Sequence, residues 1–295
     1  MNVVARLESR GGAAGRADLI RACGMVAFKA ALKDGTLVRV ARGRYVLETA
    51  DDAVREAAAR CGVLSYRTAA QQHGWAQRKV PARPDITFAR NRRVPREWRS
   101  AITPHWSDLP AEDVDGLVTH PRRTLVDCMR MLRLNESVPI VDSAIRCGDI
   151  STTELRELAR AMRGRGRVRA MYVAAMASKL AANAFESGVR AIAATVPGLR
   201  VRPQVPMSVL RRRDGPPAIL RPDLIDETLG IVIEAESFEW HGRSVALTRD
   251  CVRYNSLAND GWLVVRFSWY QVTFEPDYVR WSLVRAVARR RSEAA

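Results

Sequence analysis

The sequence predicts a multidomain α+β and α/β chain, and three observations lead there. At 295 residues it is long enough for about two domains. Hydrophobic residues make up 47% and charged residues 27%, the balance of a chain that folds. The apolar pattern also changes along the chain. Residues 1–48 read as helices followed by a β-hairpin, 50–180 as mostly helical, and 182–292 as a mixed sheet flanked by helices.

In the first region a helix leads to the Gly11-Gly12 turn, and helices follow over 16–22 and 25–33. Asp34-Gly35 stops the last of them. Strands over 36–40 and 44–47 flank Ala41-Arg42-Gly43, a hairpin turn. Three helices followed by a hairpin is the order of a winged helix-turn-helix. The third helix is expected to turn Phe28 and Leu32 inward and Lys29 and Lys33 outward, with Arg39, Arg42 and Arg44 along the wing. Helix cations so placed suit a major groove, and the wing arginines suit phosphate or the minor groove. The competing expectation is a winged domain that packs only against protein.

In the middle region helices are expected over 52–60, 65–72, 122–132, 137–147, 152–162 and 167–181. Short strands are expected over 84–89, 101–106 and 116–120. His73, His105 and His120 lack the spacing of a helical metal pair and read as structural.

Net charge is +16, carried almost entirely by arginine, so a polyanion, DNA first, is the expected partner. No apolar run approaches the roughly 20 residues of a membrane helix. The first residues show no signal-peptide core. The five cysteines are odd in number, dispersed and free of C-x-x-C, as suits reduced thiols. A cytoplasmic protein is the expectation.

In the last region a helix is expected over 182–195 and strands over 200–207, 218–225, 230–236 and 262–269. Helices over 247–259 and 278–291 complete the pattern. Strand alternation puts Glu234 and Glu236 on one face, and Asp223 sits one hairpin away. Grouped carboxylates repel one another and are costly to bury unpaired. A hard cation such as Mg²⁺, or Mn²⁺ in its place, resolves the conflict by taking their oxygens. It can then activate water and offset charge on a phosphodiester.

Pro222-Asp223 followed by Glu234-x-Glu236 resembles the PD-(D/E)XK nuclease superfamily, most closely its Vsr-like branch DUF559. Phe185-Glu186-Ser187, His241-Gly242, Arg249-Asp250-x-x-Arg253 and the stretch from Gly261-Trp262 to Arg266-Phe267 are similar to further motifs of that branch. The stretch from Gly62 to Gly74, Asp108-Leu-Pro and Arg122-Arg-Thr-Leu-Val-Asp127 resemble the AbiEi-type antitoxin region with its winged helix.

The resemblance implies a restriction-endonuclease-like sheet over 182–292, with Asp223, Glu234 and Glu186 as metal ligands. It implies Glu236 at a position where many relatives carry lysine, His241 handling water or the leaving group, and Arg249 and Arg253 holding phosphate. A helix pair between Asp250 and Arg253 is the plainer alternative for that arginine. The chain departs from the pattern in having no lysine beyond Lys179. The implied function is a Mg²⁺-dependent DNA endonuclease. The alternative is an antitoxin-like repressor with an inert nuclease fold, partnered by a toxin or a neighbouring defence protein.

Overall fold

Where the chain must reverse tightly, glycine and aspartate set the ends of its elements, and the apolar periods between those stops become α-helices and, among the described residues, strands in four sheets. A computed structural model describes residues 2–210, 216–236 and 244–294, the last without the side chains of 244–247 and 249. The chain is a multidomain α+β protein. It divides into two compact units, one of residues 1–75, 80–131 and 157–170, the other of 76–79, 132–156 and 171–295. The expected middle region is thus shared between the two.

The first unit begins with α1 (Val3–Glu8), β1 (Ala13–Gly15) and α2 (Arg16–Lys33), followed by β2 (Leu37–Ala41) and β3 (Arg44–Leu47). Asn2 caps α1 by accepting from the Ala5 amide. α2 is broken at Gly24, whose φ of 83° and ψ of 159° suit glycine and little else, so residues 16–23 and 25–33 are separate helical segments. β1, β3 and β2 form an antiparallel sheet in that order. Val3, Leu7, Leu19, Phe28, Leu37 and Tyr45 make its core. Leu32 departs from expectation: it is 36% exposed, and Ala31 takes the inward position. The break at Gly24 sets the phase of the helix, and that phase turns residues 28 and 31 inward.

α3 (Asp52–Ala59), capped by Asp51, then leads to β4 (Val63–Leu64), α4 (Tyr66–Gln72), β5 (Asp85–Phe88), β6 (Thr103–Trp106), β7 (Val114–Asp115), β8 (Val118–Thr119) and α5 (Pro121–Met131). The five strands form one sheet in the order β6-β5-β4-β8-β7. A mostly helical region is therefore built around a sheet. Three of its strands, β4, β7 and β8, are two residues long, too short to show alternation in the sequence.

α6 (Leu134–Cys147) belongs to the second unit, while α7 (Thr152–Ala161) and α8 (Arg167–Met176) straddle the division. The second unit continues with α9 (Ala184–Ala193), β9 (Arg202–Pro203), β10 (Met207–Val209), β11 (Ala218–Leu220), β12 (Leu224–Asp226), β13 (Ile231–Glu236), α10 (Ser244–Asn259), β14 (Leu263–Ser268), α11 (Trp269–Phe274) and α12 (Pro276–Glu293). The main sheet runs β14-β13-β12-β9, with β13 and β14 parallel and the other pairs antiparallel.

The strand expected over 218–225 is split, and its halves join different sheets. Pro222 lies at the split, where it has no amide hydrogen to give a ladder. Ile231 and Ile233 pack with α9 and α12 on one face. Val232 packs with Leu257 of α10 on the other. Among the described residues no helix is long and apolar enough to cross a membrane.

Candidate active site

β13 alternates, so the face that carries Val232 also carries Glu234 and Glu236, both turned toward α10. Asp223 sits just before β12, the antiparallel neighbour of β13, whose Leu224 pairs with Ile233. The Asp223 amide donates to Glu234 Oε2 at 3.4 Å, and Asp223 Oδ2 accepts from the Ala235 amide at 2.8 Å. The two carboxylates are therefore direct neighbours.

Glu186 reaches the same place from the start of α9. Asn183 Oδ1 caps that helix by accepting from the Phe185 and Glu186 amides, both at 2.9 Å. Glu186 returns the contact: its carboxylate accepts from Asn183 Nδ2 and from the Ala182 amide, again at 2.9 Å. Gln204 then joins the carboxylates. Its Nε2 donates to Glu186 Oε2 at 3.2 Å and to Asp223 Oδ1 at 3.3 Å. Gln204 holds a left-handed backbone, φ 54°, while its amide donates to the Asp223 carbonyl at 3.2 Å. A non-glycine residue there costs about 1 kcal/mol or more, offset by the surrounding bonds.

Arg253 of α10 closes the other end. Its Nε and one terminal nitrogen donate to Glu234 Oε1 at 3.2 and 2.6 Å. The same guanidinium reaches the Arg221 carbonyl at 3.3 Å. Arg253 thus pairs with Glu234 rather than with Asp250. Glu186, Gln204, Asp223, Glu234 and Arg253 form one continuous hydrogen-bonded chain. Glu236 stands apart from it, accepting from the Tyr254 hydroxyl and from Arg266 Nε at 3.0 Å. Arg266 also stacks over the Tyr254 ring.

Burial is the main influence on each carboxyl of the chain. It pushes Glu234 up to about 7, against the pull of Arg253 and with a further push from Asp223. Asp223 and Glu186 are raised as well, burial again the leading cause, and Asp223 adds repulsion at Glu186. Negative charge is thus under-compensated: three carboxyls share hydrogen bonds from one guanidinium and a few amides, with the charge of Arg146 pulling on Glu186 alone.

The all-oxygen donor set and its surplus charge fit a hard divalent cation. Among the described residues, however, no group of three His, Cys, Asp or Glu side chains is arranged to hold a metal. Gln204 stands between Glu186 and Asp223, and Arg253 occupies an oxygen of Glu234. His241 and the side chain of Arg249 lie outside the described residues.

The sequence reading missed Gln204 and Asn183. Asn183 was findable, because an asparagine three residues before a glutamate at the head of an apolar helix has the spacing of a capping box. Gln204 follows a two-residue strand and carries no periodic signal.

The other candidate surface lies in the first unit. Lys29 and Lys33 on the second segment of α2, and Arg39, Arg42 and Arg44 on the β2–β3 hairpin, are all exposed. None of these five forms an ion pair among the described residues.

No family model and no curated protein matches the chain. Among solved structures, it is similar to one described as the crystal structure of the RV2827C protein from Mycobacterium tuberculosis. The two are 18% identical, the alignment covers 65% of this chain and 78% of that one, and the TM-score is 0.34. A likeness of that size carries no argument about function.

Proposed function

We propose that the chain is a DNA-binding protein whose residues 182–292 form a Mg²⁺- or Mn²⁺-dependent endonuclease domain, with a winged helix-turn-helix over residues 2–47. The observation that carries this reading is the junction of Glu186, Asp223 and Glu234 through one amide and one backbone contact, in a chain of net charge +16. The order of helices, β1 and the β2–β3 hairpin supports the winged-helix part, as do the exposed cations on its helix and hairpin.

In this reading Asp223 and Glu234 hold the cation and Glu186 contributes from α9. A bound Mg²⁺ supplies Lewis acidity and a water of lowered pKa. The chain's own residues do the rest. Gln204 would have to give up its bonds to the two carboxylates, and Arg253 would exchange Glu234 for a phosphate oxygen, which its fork can grip with two bonds. Arg266 and Tyr254 keep Glu236 oriented at the neighbouring position.

The test is incubation of the full chain with supercoiled plasmid, linear duplex and single-stranded DNA in Mg²⁺ and in Mn²⁺. Nicking that disappears in Asp223→Asn is expected. Intact DNA in every combination, or cleavage unchanged by that substitution, overturns the endonuclease reading.

One observation favours a second reading. Arg253 already neutralises Glu234, as a permanent ion pair would in an inert nuclease fold. The protein would then be an antitoxin-like repressor, acting with a toxin or a defence protein encoded beside it. It would bind its own promoter with steep salt dependence and show no divalent-metal affinity by calorimetry.

A further inference from the structure

The second segment of α2 leaves its most apolar outward position uncovered. Val26 is 84% exposed and Met25 40%, while Phe28 and Ala31 of the same segment are buried in the core. At 100° per residue, Val26 and Lys33 lie almost in line on the outward face, with Lys29 and Ala30 on either side. A branched aliphatic side chain at the centre of a water-facing stripe costs hydration and gives no packing in return. Lys29 and Lys33 share its segment, and the same unit carries further exposed cations, Arg21 on α2 and Arg39, Arg42 and Arg44 on the hairpin. This charge matches a polyanion rather than an apolar protein surface.

The chain enters the segment through Gly24, whose positive φ lets the helix begin abruptly at Met25. The first turn therefore projects Met25 and Val26, both exposed. A helix offering an aliphatic group at its first turn and lysines three and seven residues later matches the chemistry of a duplex major groove. There the thymine C5-methyl is the apolar feature, and guanine N7 and O6 accept from cations.

We infer that Val26 is a specificity residue that packs against a thymine methyl in the major groove, with Lys29 and Lys33 fixing the helix beside it. This rests on the DNA-binding reading above. Where Arg42 and Arg44 of the hairpin meet phosphate, they are expected to add affinity without sequence preference.

The experiment uses the full chain and a pool of duplexes with a randomised centre. After selection, each thymine of the enriched duplex is replaced singly by deoxyuridine, which lacks only the methyl. Affinity is measured for wild type, Val26→Ala and Val26→Thr. One thymine position is expected at which deoxyuridine weakens wild type about fourfold, the worth of one methyl-sized apolar contact. The same replacement should leave Val26→Ala unchanged. Val26→Thr, which keeps a γ-methyl, should retain part of the effect.

If the pool is enriched but no deoxyuridine effect depends on residue 26, the inference is wrong and the DNA-binding reading stands. If no duplex is retained at any salt concentration, both fall. Val26 is so exposed that its replacement does not disturb the core, and an unchanged melting temperature verifies this.

Discussion

The two charged regions of this protein treat charge in opposite ways. On α2 and the β2–β3 hairpin, cations stand in water without ion pairs among the described residues. At the head of α9 and β12 and the end of β13, carboxylates are gathered out of water and tied by amides and one arginine. Exposed charges cost the fold little and are available to a partner. Buried ones are coupled to stability and to one another. A substitution in the first region should change binding and leave folding alone, while one in the second should change folding as well as chemistry.

The largest effect expected lies beneath the carboxylates. Asp142 and Arg190 are almost wholly buried, and their ion pair joins α6 to α9 at 2.5 Å. Asp142 also accepts from the Ser178 amide at 2.8 Å. Asp142→Ala strands a buried guanidinium and should cost about 3–5 kcal/mol in chemical denaturation. Glu186 sits on α9, so any metal-dependent activity should fall with it. A loss below about 1 kcal/mol, the range of exposed pairs, would erase the distinction between the two regions.

Next comes the pH dependence of the carboxylates themselves. The folded-state pKa of Glu234 is raised from an ordinary 4.5 to about 7. Between those values the folded chain binds more protons than the unfolded one, so stability falls as pH rises. In EDTA, wild type should therefore lose up to about 3 kcal/mol from pH 4.5 to pH 8, and Glu234→Gln should lose distinctly less. Millimolar Mg²⁺ should restore stability at pH 8 in wild type alone if the site takes the cation. Parallel pH profiles for wild type and Glu234→Gln would show that burial does not strain this carboxyl.

The sequence made these regions legible to different depths, for physical reasons. The cationic surface was readable because helix and hairpin periods decide which side chains face water. Only the exact phase was misjudged, at Leu32. The approach of Asp223 to Glu234 was also readable, since a period-2 strand and a short reversal put both at one end of the sheet. Alternation could not separate Glu234 from Glu236, which share a face. About 7 Å of strand rise between them decides that one meets Asp223 and the other meets Tyr254 and Arg266. Gln204 could not be foreseen, because its role depends on a left-handed backbone that nothing in its neighbours requires.

Gly24 offers a smaller test on the exposed side. A Cβ there would meet nothing within 4 Å, so the cost of Gly24→Ala comes only from its φ of 83°. That cost should be about 1–3 kcal/mol by thermal or urea unfolding. A near-neutral result would mean that the break in α2 relaxes easily, and the fixed projection of Val26 would go with it.

The smallest effect on folding is expected at the exposed cations, where the contrast between the regions is sharpest. Arg42 lies at the hairpin tip and Lys33 at the end of α2, both exposed. Their alanine variants should unfold within about 0.5 kcal/mol of wild type, as ordinary surface changes do. Binding should respond differently. Each phosphate contact removed lowers the slope of log affinity against log salt by about 1, so Arg42→Ala should bind more weakly at low salt and lose affinity less steeply as salt rises. Lys33→Ala should behave alike if it meets phosphate, and should instead relax preference for one base pair if it meets a guanine edge. A variant that unfolds more easily yet keeps the wild-type salt slope would place that cation in the fold's own electrostatics, as Arg253 is, and the division between the two regions would no longer hold there.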